Sequence, residues 1–176
     1  MLISVGHGRL NKDELLALLQ QSSIDEIVDI RRFPGSRHNP DVGSDAMTQW
    51  VAQGGIRYRT DPRLGGRRRL PADTVVEDSW WRVQQFAAYA AHTRTPEFTA
   101  AVRELLDSGG RTAMMCSESV WWRCHRRLVA DVVVMRWNAP VEHLMHTGRL
   151  TPHSPAAGAR IRADGHIIWD GDPDRR

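Results

Sequence analysis

Two cysteines, one lysine and no long apolar run set the first limits on this 176-residue chain. The longest apolar stretch, Leu128 to Met135, is broken by Asp131 and falls well short of the ~20 residues that span a bilayer. The segment Met1-Leu2-Ile3-Ser4-Val5-Gly6-His7 lacks a basic stretch followed by a long apolar one, so no signal peptide is expected and the protein is placed in the cytoplasm. Thiols stay reduced there, so Cys116 and Cys124 read as free thiols, metal ligands or a redox pair rather than a structural staple. Lys12 is the one lysine among 24 basic residues. The arginine bias fits a GC-rich coding sequence equally well, but a planar guanidinium fork favours phosphate and stacks on bases, which points to an anionic partner. Neither internal repeats nor low-complexity tracts are present.

What is there reads as one α/β domain, with 41% hydrophobic and 26% charged residues. Leu2 to Val5 is a strand that opens into Gly6-His7-Gly8, and a helix capped by Asn11 follows to about Gln21. Ile24 to Ile30 is a second strand, expected to pair parallel with the first through a right-handed crossover. Asp45 to Gln53 is a helix stopped by Gly54-Gly55, and Ile56 to Tyr58 is a third strand. The Gly-, Pro- and Arg-rich stretch from Asp61 to Ser79 is a long loop. Ser79 to His92 and Thr95 to Leu106 are helices, and Thr112 to Met115 is a buried strand leading into Cys116. Ser119 to Trp137 reads as one helix, with Val120, Cys124, Leu128, Val132 and Met135 near one face. Val141 to Met145 is a strand, Pro152 to Ala159 a linker, Ile161 to Ile167 a hairpin around Asp164-Gly165, and Asp170 to Arg176 a loose tail. The expected fold is a mostly parallel sheet flanked by helices over residues 1–150. Residues 151–176 add linker, hairpin and tail to the same domain.

In such a sheet the ligand site lies beyond the carboxyl ends of the strands. Three segments then converge: His7 from the first strand, Asp29, Arg31, Ser36 and Arg37 from the second, and Cys116 with Glu118 from the strand before the long helix. Cys116, just ahead of a helix N-terminus, would have a lowered pKa and act as nucleophile, or it is a small hydrophobe ending a strand. Cys124 shares an apolar face and suits core packing. Arg123, Arg126 and Arg127 form a basic stripe that holds phosphate or carboxylate, or else a solvated face. Asp29 and Arg31 read as acid/base and anion anchor, or as a structural ion pair. Seven tryptophans include Trp80-Trp81 and Trp121-Trp122, each pair followed by arginine. Trp121 and Tyr58 offer rings for base stacking, with burial in the core as the alternative. Cys116, Glu118, Cys124 and His125 include zinc-ligand types, which His7 or His143 could complete. Yet no Cys-x-x-Cys exists, and neighbours such as Cys124 and His125 point about 100° apart on a helix. No cofactor or metal is therefore assigned, zinc being the one metal the residues would admit. The signatures of zinc deaminases are absent.

Gly6-His7, Asp29-Ile30-Arg31 with Pro34, Ser36 and Arg37, Ile56-Arg57-Tyr58, Leu64-Gly65-Gly66, Phe86, Tyr89, Phe98, Cys116-Ser117-Glu118 and Cys124-His125-Arg126 occur in an order that resembles the domain of unknown function 488 family. The resemblance spans roughly residues 1 to 148 and implies a conserved site rather than a particular reaction. Gly8 departs from the pattern, where a hydroxyl residue is expected. The strand–cysteine–helix layout is also similar to rhodanese-like and cysteine-phosphatase sites, although those phosphatases place an arginine where Trp122 stands. Cys124-His125-Arg126 is similar to the Cys-His-Arg core of alkylguanine-DNA alkyltransferases, but nothing else in the chain matches that fold.

The leading expectation is an enzyme that processes nucleic acid or a nucleotide, in DNA repair or base processing by glycosylase-like or alkyl-transfer chemistry. Cys116, Glu118 and Asp29 would be catalytic. His7, Arg31, Ser36, Arg37, Tyr58, Trp121, Arg123, Cys124, His125 and Arg126 would bind the substrate. The alternatives are a small-molecule cysteine enzyme of the sulfur-transfer or phosphatase kind, and a non-catalytic nucleic-acid-binding module. A membrane partner is not expected, and oligomeric state is not legible.

Overall fold

The computed structural model describes residues 1–35 and 39–171, so Ser36 and Arg37 lie outside the described residues. Five strands run parallel: β1 (Leu2–Gly6), β2 (Glu26–Asp29), β3 (Arg57–Thr60), β4 (Thr112–Cys116) and β5 (Val141–Leu144). A sixth, β6 (Leu150–Pro152), pairs antiparallel with β5, and the order across the sheet is β3-β2-β4-β1-β5-β6. The C-terminal hairpin of β7 (Ala159–Ile161) and β8 (Ile167–Trp169) forms a second small sheet. The architecture is α/β, with a mostly parallel sheet between helices.

Period-2 alternation explains the layering, because successive side chains of a strand leave on opposite faces. Met114 of β4 joins one core, with Val28 and Ile30 and residues of α3 (Gln84–His92), α4 (Pro96–Asp107) and α5 (Arg126–Trp137). Its neighbours Ala113 and Met115 join the other, with Ile3, Val5, Ile27 and the apolar sides of α1 (Lys12–Gln21) and α2 (Ser44–Gln53). The start of α1 is fixed by a reciprocal cap: Asn11 Oδ1 accepts from the Glu14 amide at 2.9 Å, and Glu14 Oε2 accepts from the Asn11 amide at 2.8 Å.

Four local expectations are corrected. First, β1 and β2 are parallel but not neighbours, because β4, buried at every position, inserts between them. Second, the helix expected over Ser119 to Trp137 begins only at Arg126. Trp121–Arg123 form a 3-10 turn, and Cys124 is extended at φ −122°, ψ 151°. The break follows from Arg126, whose guanidinium turns inward and takes the Glu118 carbonyl that a continuous helix would have used itself. Third, α3 starts at Gln84 rather than Ser79, since the Trp80 amide donates to the Trp169 carbonyl (3.0 Å) and the Trp81 ring packs on Phe86 and Trp169. Fourth, the linker expected from Pro152 begins inside β6. No helix among the described residues is long and apolar enough to cross a membrane.

Candidate functional site

β2, β4 and β1 are adjacent, so their carboxyl ends deliver side chains to one place. The His7 amide donates to the Cys116 carbonyl and the Ile30 amide to the Met115 carbonyl, both at 3.0 Å, which stitches the three exits together. Above them opens a cleft of about 1400 Å³. Its lining includes His7, Arg31, Cys116, Glu118, Arg123, Cys124 and His125 from the sequence-derived set.

At the floor, two sulfurs and an imidazole meet. His125 Nδ1 lies 3.6 Å from Cys124 Sγ and 3.8 Å from Cys116 Sγ. The elements that place them are the end of β4 for Cys116, the extended residue 124, and the N-cap position of α5 for His125. Behind Cys124 sits Arg126, 1% exposed. Its Nη1 donates to Ser4 Oγ at 3.1 Å, its Nη2 to the Glu118 carbonyl and its Nε to Cys124 Sγ at 3.4 Å. No carboxylate pairs with it among the described residues. A buried guanidinium without a carboxylate favours a negative neighbour, and the sulfur it touches is the one available. The basic stripe expected of Arg123, Arg126 and Arg127 is thus divided. Arg123 is exposed on the cleft, Arg126 is internal, and Arg127 lies over the Trp80 and Trp81 rings.

The electrostatics separate the thiols. Burial opposes ionisation of Cys124, but hydrogen bonding from Cys116 and the Arg126 guanidinium outweigh it and bring that thiol down to about 6. Cys116, hydrogen-bonded to Cys124 and buried, is pushed up to about 12. The helix expected to begin at Ser119 begins at Arg126 instead, and the thiol whose pKa is lowered is Cys124 rather than Cys116.

His7 is held neutral. Burial and then the Arg31 charge lower its pKa to about 4, with Nδ1–H donating to the Gly8 carbonyl (3.0 Å) and Nε2 accepting from Arg31 Nη1 (3.2 Å). Asp29 is wholly buried and accepts from Arg31 Nε (2.9 Å) and Nη2 (2.5 Å) and from the Tyr58 hydroxyl (2.7 Å). Its carboxylate is therefore committed to fixing Arg31, whose Nη2 also reaches the Val42 carbonyl at 2.7 Å. Tyr58 is spent on Asp29, and Trp121 stacks on His143 with ring centroids 4.0 Å apart, away from the cleft floor. Glu118 stands exposed at the cleft wall.

Sequence reasoning left out Arg32, Phe33, Arg67, Arg68, Arg69, Gln84, Gln85 and Tyr89, all of which line the cleft. A signal existed in Gly65-Gly66-Arg67-Arg68-Arg69. A Cβ at Gly66 would meet His125 Nδ1 at 2.8 Å, so only glycine lets this loop close over the cluster and carry its arginines to the wall. Arg68 turns back onto its own loop, donating to the Gly65 and Pro62 carbonyls at 3.0 Å, whereas Arg67 and Arg69 are exposed.

Fold and site together define an α/β protein with reactive side chains gathered at the carboxyl ends of adjacent parallel strands. Within that class, the model of the family described as Domain of unknown function DUF488 matches residues 11–133, and the chain belongs to this family. No curated protein and no solved structure shows significant similarity to it.

Proposed function

We propose that the protein is an enzyme acting on nucleic acid or a nucleotide, with phosphates held on the arginine wall and chemistry at the sulfur–imidazole cluster on the floor. The observation that carries this reading is the composition of the cleft: among the described residues, six arginines, 31, 32, 67, 68, 69 and 123, against one acid, Glu118, around Cys116, Cys124 and His125. Guanidinium forks match phosphate oxygens in geometry and charge. Phe33, 64% exposed with the Arg32 guanidinium 5.5 Å over its ring, offers a face for a base at the cleft mouth. DNA repair or base processing is the form of the reaction this arrangement suits.

The test is binding of fluorescent single- and double-stranded DNA, with and without modified bases, and of free nucleotides, across a salt titration. The wild type binds with an affinity that falls steeply with salt. The triple variant Arg67→Gln/Arg69→Gln/Arg123→Gln binds at least tenfold more weakly, with a slope shallower by about 0.7–0.9 per lost phosphate contact. Absence of binding at low salt sinks the reading.

One observation favours a second reading. The contact of buried Arg126 with Cys124 Sγ supplies the cationic partner that the thiolate of a small-molecule sulfur-transfer or phosphatase enzyme needs. That reading predicts turnover of small thiol-reactive or phosphate substrates and no affinity for DNA.

A further inference from the structure

We infer that Cys116 Sγ, Cys124 Sγ and His125 Nδ1 are three ligands of a divalent metal site, zinc by preference, whose fourth coordination position opens onto the arginine cleft. The three donor atoms all lie within 4.8 Å of one another. With Zn–S at about 2.3 Å and Zn–N at about 2.0–2.1 Å, the edges of a tetrahedron measure about 3.6 Å from sulfur to nitrogen and about 3.8 Å between sulfurs. The observed imidazole-to-sulfur separations of 3.6 and 3.8 Å match the sulfur–nitrogen edge to within about 0.2 Å.

On a helix Cys124 and His125 would diverge by about 100°, but α5 begins only after them, at Arg126. The extended backbone at Cys124, followed by helical φ and ψ at His125, turns both side chains to the same point. Arg126 supplies the second shell: its Nε donates to Cys124 Sγ, and it is anchored by Ser4 and the Glu118 carbonyl. A thiolate that accepts such a bond remains a ligand and not a base. Two thiolates and a neutral imidazole form a soft set that suits zinc and disfavours magnesium or calcium. No fourth His, Cys, Asp or Glu joins the cluster among the described residues, and all three ligands face the cleft. Three protein ligands with one open position is the pattern of a zinc that binds water or a substrate oxygen, not of a structural zinc. That the oxygen belongs to a phosphate-bearing substrate rests on the reading above. The metal site does not.

The test uses the full chain, reduced, stripped with chelator and then titrated with zinc or cobalt(II). The expected result is one metal per chain after desalting, a thiolate-to-cobalt charge-transfer band in the near ultraviolet, and at least tenfold slower alkylation of both cysteines with zinc than without. Cys116→Ser and Cys124→Ser each lose the stoichiometric metal. Cobalt that binds without the thiolate band, or alkylation rates unchanged by zinc, overturns the proposal, and neither result depends on a variant that folds. DNA and nucleotide binding is scored separately, so loss of the anion-binding reading leaves this one standing, and the reverse.

Discussion

Among the described glycines the tightest fit is at Gly6, where an added Cβ would run into the Glu118 carbonyl and reach Arg126 Nη2 at 2.7 Å. Neither neighbour can yield, since they are bonded to each other and Arg126 also carries Cys124 and Ser4. Gly6→Ala should therefore lower stability by about 2–3 kcal/mol, as overpacking of a rigid site does, read from urea midpoints. A change under ~0.5 kcal/mol would show that the carbonyl–guanidinium contact is slack. His143 gives a pH signature. It is 1% exposed, stacked by Trp121, and bonded through Nε2 to His153 Nδ1 (2.9 Å), which in turn reaches Asp131 Oδ1 through Nε2 (2.7 Å). Burial first, then the charges of His153 and Arg126, lower its pKa to about 3 from 6.5. Between those values the unfolded chain binds more protons than the folded one. Stability is therefore complete above pH 6.5 and drains away as pH falls toward 3, by up to ~1.4 kcal/mol per pH unit for this group. Urea unfolding of wild type and His143→Gln across that range measures it: the variant's slope should be shallower, and equal slopes would mean that His143 titrates normally.

Elements differ in how plainly the sequence announces them, and the reason is the range of the interactions that define each one. The α1 cap is local: Asn11 and Glu14 are three residues apart, so both its presence and its effect are readable, and Asn11→Ala should cost about 1 kcal/mol in thermal or urea unfolding. The convergence of His7, Arg31 and Cys116 was equally legible, because each follows an apolar strand. The segment 119–125 was not, since its shape is set by Arg126 bonding back to Ser4 across the sheet, a partner 122 residues away. The four-residue spacing of Val120, Cys124 and Leu128 imitated a helix there, and that imitation hid both the inward arginine and the meeting of Cys124 with His125. Position in the sheet was illegible for a similar reason: the placement of β4 between β1 and β2 is a choice among buried strands that local pattern does not record. The arginine run 67–69 was visible as composition, but only Gly66 packed on His125 says which way the loop faces.

Across the whole molecule, the C-terminal hairpin is bound into the main core. Trp169 is fully buried, its Nε1 donates to Asp131 Oδ2 of α5 at 2.8 Å, and its amide donates to Asp78 Oδ1 at 3.1 Å. Trp169→Ala should remove about 3–5 kcal/mol and unfold the sheet and hairpin in one transition, monitored by tryptophan fluorescence and far-ultraviolet circular dichroism together. Two separate transitions would mean that the hairpin is an appendage. The placement of β1 carries a consequence of a different sort. The stretch that matches the family, residues 11–133, holds Cys116, Cys124 and His125 but excludes β1, one of the two strands that pair with β4 and the one that supplies the Ser4 hydroxyl to Arg126. A polypeptide trimmed to that stretch would carry every reactive atom on a scaffold cut open at its centre, with β4 presenting a raw apolar border ready to template aggregation. The stretch that the family model matches and the stretch that completes the sheet around β4 are thus not the same length of chain.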